Sequence, residues 1–204
     1  MPQDATITVT DTRPVKLDLA SGQHPREGFK GVDLFTGDER VDLLSFPWPW
    51  ADNSVDEVHC SHFVEHIPMC FYDVPAPGVV AGEPHALPAP GRKEAFFMFF
   101  DELHRVLKPG GLATIVVPYL RSHRAFQDPT HRRFLCEDSF VYLQSDWRKA
   151  NGLDHYPVSC DFALKNLNRI VDQGESLRHQ EVVAQRMAGL WNVILDIAVE
   201  IVKK

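Results

Sequence analysis

Two stretches of the chain hold side chains able to move protons or grip a ligand. "HFVEH", His62 to His66, sets two imidazoles four residues apart with Glu65 between them. On a helix that spacing points both rings to one side, where they would share a metal while the carboxylate serves as base for hydrolysis. A distant acid such as Glu137 would then be a third ligand. The second stretch, "PYLRSHRAFQDPTHRRF" from 118 to 134, sets Arg121, Arg124, Arg132 and Arg133 against the lone acid Asp128, a local charge of +3 in a chain of −7. Guanidinium groups match carboxylate and phosphate geometry, so an acidic small molecule is expected to bind here. Asp128 and His131 lie three apart around a proline. That spacing lets the carboxylate orient the imidazole as a general base, with Tyr119 orienting a nucleophile.

A third set lies near the start, in "VKLDLASGQHPREGFKGVDL", residues 15 to 34. An apolar run ends in Asp18, the small-residue turn Ala20-Ser21-Gly22 follows, and a second run ends in Asp33. Only eleven residues, Ser21 to Gly31, separate the runs, and G-x-G-x-x-G is absent. A dinucleotide site needs that turn and a helix behind it to hold the pyrophosphate, and eleven residues barely suffice for a parallel crossover. A ligand without phosphates asks for less. Asp18 would meet the ammonium of an adenosine's amino-acid tail, and Asp33 both ribose hydroxyls. S-adenosylmethionine fits this pattern and NAD fits it poorly.

The elements that must position these residues can be read from pattern. Strand-like runs occur at 15–20, 31–34, 41–44, 55–60 and 112–118, and a helix spans about 93 to 107 with Phe96, Phe99, Phe100, Leu103 and Leu107 on one face. Strands alternating with helical stretches imply a mostly parallel sheet covered on both faces. Residues 68 to 92 carry six prolines and three glycines, too many breakers for a helix or a central strand, and are expected to form an insertion or a lid over the ligand pocket. Residues 182 to 202 place Val183, Met187, Leu190, Trp191, Ile194, Ala198 and Ile201 at helical spacing, which predicts an amphipathic C-terminal helix. Residues 1 to 13 read as a loose leader. The tryptophans of "PWPW", Pro47 to Trp50, are expected to pack over a sheet edge rather than to cage a cation.

Composition excludes several classes. At 204 residues, 44% hydrophobic and 24% charged, the chain suits one soluble domain with a full core. A net charge of −7 argues against broad nucleic-acid binding. The four cysteines lack C-x-x-C spacing and read as free thiols in a reducing compartment. The first ten residues lack the basic and apolar regions of a signal peptide. Gln185, Arg186, Asn192, Asp196 and Glu200 rule out a membrane span in the tail. A cytoplasmic protein is expected, with its oligomeric state left open.

Taken in order, "LDLASG" with "GVDL", "VDLLSFPWPWADNSVDEVHCSHFVEHI" and "DELHRVLKPGGLATIVVPY" resemble the class I S-adenosylmethionine-dependent methyltransferases, in particular the type 11-like group. The resemblance covers about 15 to 120. It implies an α/β, Rossmann-like fold in one domain, with a mostly parallel seven-stranded sheet, shortened first crossovers and an antiparallel strand in the tail region. It implies S-adenosylmethionine as cofactor and methyl transfer to an O or N nucleophile of a small acceptor, with no metal required. Carried over residue by residue, Asp18, Ala20, Ser21 and Gly22 would line the methionine end, Asp33 and Leu34 the ribose, and Leu43 and Leu44 after Asp42 the adenine. Cys60 and Ser61 would lie under the sulfonium. His62 would touch the acceptor and His66 would brace its helix. One departure stands out, since Ala20 occupies a position where the family pattern D-x-G-x-G has glycine. Two other readings stay open: a binding protein that kept the fold without turnover, and zinc hydrolysis through His62-x-x-Glu65-His66.

Overall fold

The computed structural model describes residues 13–74, 83–87 and 89–204. The expected leader at 1–13 lies almost entirely outside them, as do residues 75–82 and 88 of the expected lid. In chain order the first elements are β1 (Lys16–Leu19), β2 (Lys30–Asp33), β3 (Glu39–Arg40), β4 (Val55–Ser61), β5 (Phe71–Asp73), β6 (Arg92–Glu94) and α1 (Ala95–Val106). They are followed by β7 (Leu107–Pro118), α2 (Arg124–Gln127), α3 (Ser145–Ala150), β8 (Phe162–Val171), α4 (Gln173–Ser176), α5 (Gln180–Gly189) and β9 (Ile194–Lys203).

Seven strands form one sheet in the order β3-β2-β1-β4-β7-β9-β8. Pairing is parallel from β3 to β7, and β9 runs antiparallel to both β7 and β8. No helix lies between β1 and β4, so the first three crossovers are loops, and the shortened spacing from Ser21 to Gly31 is their signature. β5 and β6 make a separate antiparallel ribbon from the two ends of the proline-rich stretch.

Register explains how the two faces of the sheet differ. Residues paired across strands share a face, and side chains alternate along each strand. One face carries Leu17, Val58 and Ala113 in a row, then Leu19, Cys60, Ile115 and Val199, all buried. Helix α1 closes over this face, with Phe96, Phe99, Phe100, Leu103 and Val106 in the same core. Glu94 starts α1 by accepting from the amide of Phe96 (2.9 Å). The other face presents Asp18, His59, Thr114, Glu200 and Asn166 in one row. The expectation of helices covering both faces is therefore corrected. A strand buried on two sides reads as a continuous apolar run, whereas β4 alternates Val58 and Cys60 with Glu57, His59 and Ser61.

Two further expectations give way. Residues 41–44 are a turn, and the short strand in this region is Glu39–Arg40, paired with β2. The predicted helix over 182–202 is in fact α5, a break at Leu190–Val193, and β9. Ile197, Val199 and Ile201 are buried at period two and pair with Val117, Ile115 and Ala113. β-branched residues at that period favour a strand, and the three-four spacing of 194, 198 and 201 coincides with helix by accident. Of "PWPW", Trp48 is buried in the core against Phe46, Trp50 and Phe99. Among the described residues, no helix is long and apolar enough to cross a membrane.

Candidate active site

The carboxyl ends of β1, β2, β4 and β7 lie along one sheet edge, and the turns leaving them gather the polar side chains. After β1, Ala20 and Gly22 both take left-handed backbone, with φ of +56° and +57°. Glycine adopts it freely, alanine at a cost. The amide of Ser21 donates to the carbonyl of Val32 (3.1 Å), and that of Gly22 to Asp33 Oδ2 (3.2 Å), which pins the turn to the end of β2. Gly31 permits this closeness, since a Cβ there would come within 2.9 Å of Pro25 Cβ and Ser21 Oγ. Asp33 Oδ1 accepts from the amides of Phe35 (2.9 Å) and Thr36 (3.1 Å). Burial pushes this carboxyl up, but the amides of Phe35, Thr36 and Gly22 outweigh it and hold it below the usual carboxylate range. Beside it Leu34 and Phe35 are exposed, Phe35 at 76%. Sequence reasoning named Leu34 and passed over Phe35, although an apolar pair directly after an acidic strand end was the signal.

Other residues assigned to the cofactor are placed differently. Asp18 is 5% exposed. Its Oδ1 meets His59 Nδ1 at 2.7 Å and its Oδ2 accepts from the amide of Arg26 (2.7 Å). The carboxylate braces the 20–26 turn against the polar face. Asp42 accepts from the Leu44 amide (2.9 Å) and the Ser45 hydroxyl (2.8 Å), which closes a turn. Leu43 is core, with its carbonyl accepting from the Trp48 indole (3.2 Å), while Leu44 is half-buried. Cys60 is fully buried on the apolar face. Burial first, then the charges of Glu65 and Asp18, push its thiol well above the usual value, so it packs and does not react. Ser61, half-buried, reaches the edge from the polar face.

Past Ser61 the chain turns sharply. His62 has a φ of +56°, uncommon for a side-chain-bearing residue, and its amide donates to the carbonyl of Val116 (2.9 Å). Val64–His66 form a single 3-10 turn, not the α-helix that would aim His62 and His66 together. His62 Nδ1 instead meets Glu65 Oε1 at 3.2 Å, a bond that holds the imidazole above its usual value against the effect of burial. Glu137, the other nominated ligand, is bound to Arg169 (2.7 Å). The hydrolase geometry does not form.

His66 faces His131, with ring centroids 4.7 Å apart at 81°. The amides of Arg132 (2.8 Å) and Arg133 (3.0 Å) both donate to the carbonyl of Glu65, which draws the two segments together. Asp128 does not pair with His131 through its carboxylate. Its Oδ1 accepts from the amide and hydroxyl of Thr130, both at 2.7 Å, and these bonds hold the carboxyl below its usual range. His62, Glu65, His66, Arg124, Asp128 and His131 line one pocket of about 490 Å³.

The four arginines do not form one cluster. Arg121 donates to the carbonyls of Met187 (2.7 Å) and Ala188 (3.1 Å), closing the end of α5. Arg133 donates to the carbonyls of Ile67 (2.9 Å) and Pro68 (2.8 Å) and pairs with Glu94. Arg132 is exposed and reaches the carbonyl of Pro129 (3.1 Å). Arg124 alone lines the pocket, and it is paired with Asp196 (2.5 Å). Tyr119 is buried and bridged to Leu135, away from that pocket. Backbone carbonyls, invisible in a sequence, took the donors.

No protein-family model matches the chain, and no curated protein resembles it in sequence. Solved structures do match. A SAM-dependent methyltransferase from Archaeoglobus fulgidus superposes with a TM-score of 0.51 at 15% identity, covering 93% of this chain and 86% of that one. The fold is that of the S-adenosylmethionine-dependent methyltransferases. The YcgJ protein of Bacillus subtilis matches at 0.50 and 13% identity, over 94% of this chain and 92% of its own. A complex between the Haloferax volcanii Trm112 methyltransferase activator and a methyltransferase matches at 0.50 and 14%, over 93% and 82%.

Proposed function

We propose that the chain transfers the sulfonium methyl of S-adenosylmethionine to an oxygen or nitrogen nucleophile of a small acceptor. The observation that carries this reading is the juncture of Gly22 with Asp33, beside exposed Leu34 and Phe35, on the sheet edge where the polar pocket begins one residue past Ser61. In open α/β sheets that edge is where ligands bind. When bound, S-adenosylmethionine supplies an electrophilic methyl group on sulfur. Asp33 accepts the ribose hydroxyls, Leu34 and Phe35 cover the adenine, and Ser61 approaches the methionine end. His62 lines the pocket one residue past Ser61 and takes the acceptor's proton, a role needed only where the nucleophile holds its proton tightly. Its left-handed backbone is the kind of strain that functional sites store. Most of the acceleration comes from in-line positioning. With one pocket arginine, already paired to Asp196, the site suits an acceptor bearing hydroxyl or amine groups better than a polyanion.

Calorimetry with S-adenosylhomocysteine tests this. Micromolar binding is expected, with NAD failing to compete. Asp33→Ala removes a pair of charge-assisted hydrogen bonds and should cost about 2–3 kcal/mol of binding. Unchanged affinity in that variant refutes the ribose role, and no binding of the wild-type chain refutes the whole reading.

A further inference from the structure

We infer that Glu65, His66 and His131 form a binding site for one divalent transition-metal ion of the zinc type. Each of the three residues has a ligand atom within 4.8 Å of the others, on the wall of the pocket described above.

The hydrogen bonds around the two rings fix which nitrogen is free. His131 Nδ1 bonds the carbonyl of Ala125 (3.0 Å), which requires an N–H, so Nε2 carries the lone pair. The Thr130 hydroxyl gives its proton to Asp128 (2.7 Å) and therefore accepts from His66 Nδ1 (3.0 Å), so Nε2 of this ring is free as well. Metal-binding histidines are held in this way, with the second nitrogen donating to a carbonyl or to a carboxylate relay.

The third residue supplies an independent reason. Glu65 is 1% exposed, and its Oε2 is buried with no hydrogen-bond partner. Its other oxygen meets only His62 (3.2 Å). The arginines next to His131 do not reach it, because Arg132 and Arg133 spend their guanidinium groups on the carbonyls of Pro129, Ile67 and Pro68 and on Glu94. A buried carboxylate oxygen without a partner is costly, and a cation held by Glu65 and the two imidazoles would give this carboxylate a partner.

Two nitrogens and one carboxylate leave coordination positions open, which is the pattern of sites that hold a reactant as well as a metal. Magnesium and calcium prefer all-oxygen shells, so the choice falls on zinc and its first-row neighbours. Resting on the methyl-transfer reading, the open positions face an acceptor whose hydroxyl or amine lone pair the ion would draw in. The metal site itself does not depend on that reading. The sequence led away from it by pairing His62 with His66 on an expected helix; the fold replaces His62 with His131, 65 positions further along than His66.

The test uses the full chain freed of metal with a chelator and titrated with Co²⁺, read by its visible d–d absorption, and then with Zn²⁺ in competition. One equivalent should bind, displaced by zinc and not by millimolar magnesium. Glu65→Gln and His131→Ala should each weaken binding at least 100-fold, above the 10- to 100-fold seen for outer-shell changes. His123→Ala, on the same pocket wall but outside the set, should leave it unchanged. If Glu65→Gln fails to fold, His131→Ala on its half-buried ring carries the comparison. No stoichiometric cobalt binding, or binding that survives His131→Ala, overturns the site. S-adenosylhomocysteine affinity measured on the same samples separates the two proposals. Metal without that ligand defeats the methyl-transfer reading alone, and the ligand without metal defeats the site alone.

Discussion

At Ala20 the chain keeps a glycine's backbone without a glycine. The turn it occupies must bend left-handed to bring the Gly22 amide onto Asp33, and an L side chain at φ +56° costs roughly 1–2 kcal/mol. The sequence shows the substitution but not its sign, because a negative φ would have made alanine harmless. Ala20→Gly should therefore stabilise the fold by about 0.5–1 kcal/mol, the relief of strain less the extra freedom a glycine gives the unfolded chain. Denaturant unfolding checks this. An unchanged or lower stability would mean that the turn relaxes around alanine. The same lesson applies to the candidate site. Residue types pointed to His62, Glu65, His66, Asp128 and His131, and all five line one pocket. Their pairings were not legible, since a hydroxyl relay through Thr130 and two amides on the Glu65 carbonyl decide them.

Among the elements, those with long, consistent patterns were readable and those built from short runs were not. The α1 helix and the apolar part of β7 carry strong signals and appear close to where the sequence put them, although β7 begins at Leu107 and takes in the Pro-Gly-Gly expected to precede it. The tail did not, because Met187, Ile194, Ala198 and Ile201 satisfy helical spacing while period two governs β9. What α5 lacks is equally informative. No residue in it is fully buried, and of its side chains Met187 packs against the core, so apolar docking holds it only weakly. Polar contacts add to this: Arg121 bonds its last carbonyls, and Arg186 forms a two-point pair with Glu175. Arg121→Ala should leave α5 opening freely, seen as faster amide exchange over 180–191. S-adenosylhomocysteine affinity should hold, because Arg121 is outside the proposed cofactor site. Equal exchange rates in the two proteins would show that the guanidinium does not restrain the helix.

For the whole molecule, one sheet face is covered by α1 and the other stays polar, and the end of α1 meets β8 and β9 through His104. His104 sits in that seam. Its ring packs edge-on against Phe162 at the start of β8, with centroids 5.2 Å apart, and its Nε2 is buried without a partner. Lys203 of β9 lies close by, its ammonium bonded to the carbonyls of His104 (2.6 Å) and Leu107 (2.9 Å). Burial first and then the Lys203 charge lower the His104 value below the usual 6.5, against weaker support from Asp101 on its own helix and Asp161 before β8. A folded chain that takes the proton less readily than the unfolded one loses stability as the pH falls below 6.5. The loss levels off once folded His104 is itself protonated, and above 6.5 neither state holds the proton, so the group contributes nothing. Other histidines titrate too, which makes the comparison with His104→Asn the informative one. Subtracting the variant's stability from that of the wild type across pH 5 to 8, by urea unfolding, should give a difference that is flat above the usual histidine value and falls below it. Parallel curves would mean that the seam opens enough to hydrate the ring, and that α1 is less firmly sealed onto β8 and β9 than its packing suggests.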